Sequence, residues 1–297
     1  MPPGGPTVQP PASRRWRWRW LQAVTYNGVV SDGLFRDGDL IRVVGQEGLL
    51  LASGGAASLL QTAHPKIAQG VYDHSHHATD PLGRLRRTLQ WSYAVIFGSR
   101  EEAERLSTIV AKTHERVAGP GYRAADPELQ VWVQATLFAV AVDAYQAIFR
   151  REFTLEELES YYRQTKIFAT ILGCPEDLPP ETYADFLDYY AKMLAELEIT
   201  TESRAIADQV LHPKLPLGRL HEPALAALRL ITAGLMPEPI RAQYGWRWDT
   251  ARARRYRLLM GSLAAVYPRL PRRIRTLPRD YCLSTLRRRI PRDLAGA

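Results

Sequence analysis

The chain has 297 residues, 46% of them hydrophobic, which is enough for one large folded domain and speaks against disorder. A formal charge of +8, from 39 Lys+Arg against 31 Asp+Glu, gathers at the two ends. No nucleic-acid-binding module surrounds it, so no nucleic-acid partner is expected. Cys174 and Cys282 stand far apart without CxxC or Cys/His finger spacing, which gives no sign of a disulfide framework or a zinc finger and fits a reducing, cytoplasmic compartment.

Residues 1–13, rich in Pro and Gly, read as a disordered leader. The stretch from Arg14 to Trp20 then alternates cations and indoles. Trp16, Trp18 and Trp20 offer a peripheral membrane contact, or cover the domain's own apolar surface while the arginines reach water. Leu21 to Asn27 is not a sustained apolar run, so no secretory signal is read. The expected division is residues 1–20 as leader and Trp/Arg segment, 21–280 as one helical domain, and 281–297 as a basic C-terminal tail.

Between Leu40 and Ala63 the chain is rich in Leu, Ala and Gly, with Gly54-Gly55-Ala56-Ala57-Ser58 in the middle, where small residues let another helix or a flat ligand approach the backbone. No Lys-Ser/Thr follows these glycines, so they are no phosphate loop. His64-Pro65 stops or kinks that helix. Asp80-Pro81 opens the next one, which runs to Phe97 and ends at Gly98-Ser99. Ser99, with Glu101 and Glu102 behind it, caps a helix that carries His114 and breaks at Gly119-Pro120-Gly121. Asp126-Pro127 starts an apolar helix to about Arg150. Its Gln134, Asp143 and Gln146 suit a buried central helix better than a membrane span. Thr154 and Glu157 form a capping box for a helix to about Leu172, stopped by Gly173. Helices over Thr182–Leu197, Glu222–Gly234 and Thr250–Tyr267 follow, with no strong hairpin signal. The expected fold is all-α, a single large helical bundle.

Five of the seven histidines fall within the first 114 residues. Asp73-His74-Ser75-His76-His77 invites a metal reading, but adjacent helical residues diverge, and a polar, partly exposed helix end is the better account. His114 shares a helical face with Val110 and Val117, which turns its imidazole toward the core. That suits an iron ligand, although on spacing alone a satisfied core histidine is the better account. Arg84, Arg87, Thr88 and Trp91 follow i, i+3, i+4, i+7. A guanidinium and a hydroxyl one turn apart beside an indole can pair a propionate and orient dioxygen, the alternative being a solvated arginine face.

In their order along the chain, several phrases resemble the haem-b oxygenases of the MpaB and rubber-oxygenase (latex-clearing protein) family. They include Leu59-Leu60-Gln61-Thr62-Ala63-His64-Pro65, Pro81-Leu82-Gly83-Arg84-Leu85-Arg86-Arg87-Thr88, Thr113-His114-Glu115-Arg116-Val117-Ala118-Gly119 and Leu235-Met236-Pro237-Glu238-Pro239. The resemblance implies a bundle enclosing haem b, with His114 as the proximal iron ligand and Arg84 and Thr88 as the family's Arg-x-x-x-Thr. Arg84, Thr88 and His64 are then the catalytic candidates, and Arg84, Arg87, Thr88, Trp91 and Gln61 the cofactor contacts. In the rubber-cleaving branch a lysine precedes that threonine; here it is Arg87. No Glu lies between Gly48 and Arg100 to match that branch's proposed base, which weighs against polyisoprene cleavage. The expected activity is oxygenation of an apolar, isoprenoid or lipid-like small molecule with dioxygen. A haem protein without turnover and a non-haem helical membrane- or partner-binding protein are the alternatives.

Overall fold

The computed structural model describes residues 32–74, 81–213 and 222–289. The Trp/Arg segment, Ser75 to Asp80 with His76 and His77, and residues 290–297 lie outside them. In chain order come α1 (Leu40–Gly45), a 3-10 turn (Gly48–Ser53), α2 (Gly54–Gln61), α3 (Pro65–His74), α4 (Pro81–Phe97) and α5 (Arg100–Arg116). A small hairpin, β1 (Ala118–Gly119) with β2 (Tyr122–Arg123), leads into α6 (Pro127–Phe149), α7 (Leu155–Thr165), α8 (Ile167–Thr170), α9 (Tyr183–Glu196) and α10 (Thr201–Leu211). The chain continues through α11 (Glu222–Leu235), α12 (Glu238–Gln243), α13 (Thr250–Val266), α14 (Arg272–Arg275) and α15 (Leu277–Arg289). The fold is all-α apart from that hairpin.

Helix α6 is the axis of the core. Pro127 sits in its first turn and Asp126 caps it, the carboxylate accepting the Glu128 N–H at 3.1 Å. Among the described residues it is the helix long and apolar enough to cross a membrane, yet 61% of its most apolar window is buried inside the fold. Phe138 shows why: Tyr161, Tyr162, Tyr183 and Phe186 surround it with ring centroids 5.0–5.9 Å away. Buried Gln134 donates to Thr165 Oγ1 at 3.0 Å.

At Gly55 the close approach that the Gly-rich stretch allows is taken by a helix. A Cβ on Gly55 would lie 2.5 Å from Thr232 Oγ1, so α11 already occupies that approach. Helix α10, which the sequence pattern leaves unmarked, is capped by Thr200 and held to α2 by Ser203 Oγ donating to the Thr62 carbonyl at 2.7 Å. The expected basic tail begins too early: residues 281–289 belong to α15, with Cys282, Leu283 and Leu286 buried. Gln90 donates to Thr285 Oγ1 at 3.2 Å, and Arg287 pairs with Glu102 at 2.8 Å. Arginines on the outer face hide that apolar stripe in the composition. Upstream, Arg275 holds the buried Glu47 at 2.7 Å, tying the end of the chain to its beginning.

Candidate functional site

Two helices joined by a two-residue corner make the frame of the site. Gly98 is required there, because a Cβ would stand 2.5 Å from the Ala94 carbonyl oxygen. Ser99 then starts α5 with a complete capping box, Ser99 Oγ accepting from the Glu102 N–H at 3.1 Å and Glu102 accepting from the Ser99 N–H at 2.9 Å. Further down the hairpin, Trp91 Nε1 donates to Ser107 Oγ at 2.9 Å, and the indole packs on Phe168 of α8 at 5.7 Å. Ser107 is completely buried, so this bond ties α4 to α5 out of water.

That bond sets the register of the pair. Helices joined by so short a corner run antiparallel, so each step back along α4 is matched by a step forward along α5. Thr88 therefore comes level with Val110, and Arg84 level with His114. On α4 the residues 84, 88 and 91 share a face, as do 107, 110 and 114 on α5.

His114 lies in the last turn of α5, half-buried. The helix dipole there would favour a cation, but desolvation outweighs it and lowers the imidazole pKa, keeping the ring neutral at pH 7. Its Nδ1 is buried with no hydrogen-bond partner. Burial and then the charge of Arg87 push the Arg84 pKa down to about 10, which still leaves the guanidinium protonated. Thr88 and Arg87 are exposed. Arg84 and Thr88 thus share a face of α4 with Trp91, and His114 shares a face of α5 with Ser107, to which Trp91 is bonded.

The other candidates stand at the corner between α2 and α3. Gln61 ends α2, half-buried, and His64 Nδ1 accepts the Lys66 N–H at 3.2 Å. Burial and Lys66 lower the His64 pKa, and Asp126 and Glu128 at the start of α6 oppose them. Two residues escape sequence reasoning. Ser107 sits two turns before His114, a spacing that would have found it. Tyr122 is the second: its hydroxyl donates to Asp73 at 2.7 Å and so must accept from His74 Nε2 at 3.0 Å. The described part of the histidine-rich run therefore fastens α3 to the hairpin. Among the described residues no group of three or more His, Cys, Asp or Glu side chains gathers as a metal site.

Comparison with known proteins places this helical frame. The family model for the catalytic domain of ER-bound oxygenase mpaB/B′ and rubber oxygenase matches residues 41–265, 225 of the 297. The chain belongs to this family. Its matched region contains every candidate named above, from Gln61 to His114. An uncharacterised protein of Mycobacterium bovis and another of Mycobacterium tuberculosis are each 25% identical to it over 230 residues, covering 72% of this chain and 88% of theirs. No solved structure matches.

Proposed function

We propose that this member of the family is a haem-b-dependent oxygenase that uses dioxygen on an apolar substrate of isoprenoid or lipid-like chemistry. His114 carries the reading, because its buried Nδ1 has no hydrogen-bond partner. A histidine kept for packing alone would have that nitrogen satisfied, since an unmade buried hydrogen bond costs about 1–3 kcal/mol. A neutral ring with no commitment to the protein suits an iron already held by a macrocycle. Such an iron needs one protein ligand, where a bare ion would need several.

Haem, when bound, supplies the redox chemistry with dioxygen, and this chain supplies ligand, charge and walls. Arg84, level with His114, would pair a haem propionate, with Arg87 adding positive charge beside it. Trp91 is held as a wall by Ser107 and Phe168. Thr88 offers an exposed hydroxyl to a polar substrate atom. Arg87 stands where the rubber-cleaving branch has lysine, and because a guanidinium has no lone pair to give a metal it would not ligate the iron. His64 and Gln61 act at one remove, as supports at the α2–α3 corner.

An absorption spectrum of the purified protein tests the cofactor, with a Soret band expected. His114→Ala should lose that band while its far-UV circular dichroism stays helical; retention of full haem content overturns the assignment. Transfer of oxygen from labelled dioxygen into a product tests turnover.

A further inference from the structure

Helix α4 has a second face. Leu82, Arg86 and Leu89 lie on the side of the helical wheel away from Arg84 and Trp91, and Leu85 lies at the edge of that side, about 60° round from Thr88. With Pro278 and Tyr281 of α15 they line an open groove of about 450 Å³, within the range of small-molecule sites. Leu82, Leu85 and Tyr281, respectively 55%, 49% and 60% exposed, form its lips. At its wall Cys282 is buried, and burial raises the thiol pKa, so that residue contributes no negative charge.

Among the residues lining the groove Arg86 is the cation, and its Nε is buried with no hydrogen-bond partner. Nearby Arg279 and Arg287 are spent on Asp280 and Glu102. We propose that the α4–α15 groove binds a long-chain carboxylate, its hydrocarbon tail along Leu82, Leu85 and Leu89 and its carboxylate on Arg86. The guanidinium fork matches a carboxylate. One cation balances one charge, whereas a phosphate monoester would bring about −1.5 to −2 into an apolar groove. The occupant sits across α4 from His114, so this site stands or falls independently of the haem reading.

The full-length chain titrated at pH 7.5 with cis-parinarate, a carboxylate that fluoresces in apolar surroundings, tests the proposal. Saturable binding near one per chain is expected, displaced by dodecanoate. Arg86→Gln should weaken parinarate by about tenfold, the loss of one charge-assisted bond, without changing displacement by the uncharged dodecanol. Leu85→Glu, on the exposed lip, should weaken both ligands, and His114→Ala neither. Absence of saturable binding, an Arg86→Gln affinity equal to wild type, or loss in His114→Ala but not in Leu85→Glu would each overturn it. So would co-sedimentation with anionic phospholipid vesicles in the absence of monomeric parinarate binding, which would make this face a lipid-surface contact instead.

Discussion

His64 and His114 are both half-buried, and burial lowers the pKa of both. The fold treats them differently. His64 accepts the Lys66 N–H and lies within reach of Lys66, Asp126 and Glu128, so its ring is engaged in holding the α2–α3 corner. His114 feels desolvation alone, and its Nδ1 has nothing to bond. Burial therefore does not by itself single out a candidate ligand; the bonds still open to the ring do.

The largest expected effect separates the two directly. His114→Ala should lower haem per chain by about tenfold or more, and His64→Ala should leave it near wild type, both read from the Soret absorbance. Equal losses would erase the contrast. Next, Ser107→Ala strands the Trp91 N–H, so it should cost about 1–3 kcal/mol in a denaturant titration. Because the same bond sets Arg84 level with His114, haem affinity should fall with it, and unchanged affinity would show that the register is held elsewhere. Weakening the corner should matter less: Ser99→Ala removes half of the capping box, and about 0.5–2 kcal/mol of stability is expected to go with it.

The smallest effect concerns pH. His64 has a folded-state pKa below its ordinary 6.5, so just below that pH the unfolded chain binds more protons than the folded one. The stability it contributes is present above pH 6.5 and is lost as pH falls through the folded value. In the haem-loaded protein His114 would be held by iron and silent, so His64→Gln should flatten the decline in melting temperature below pH 6.5. A decline that is unchanged by that substitution would assign it to other groups.

Helix ends were legible where the pattern is local. Ser99 with Glu102, Thr154 with Glu157, and Asp126 before Pro127 each pair a cap with a backbone N–H two or three residues away, and the structure has all three. Helix α10 escaped because its box closes with Ser203 in place of an acidic residue. Helix α15 escaped because its arginines outnumber the apolar stripe that packs on α4. The glycines around Gly55 announced a close approach without naming its occupant, which is Thr232, 177 positions further along the chain.

By itself the sequence determined most of the long helices, several of their capped starts and, through the order of its phrases, the oxygenase family. Those properties depend on residues a few positions apart or on their succession along the chain. The tertiary structure alone decided that Trp91 meets Ser107 and that the buried Nδ1 of His114 has no hydrogen-bond partner. A side chain's unused bond is a property of everything packed around it, and no local pattern specifies that.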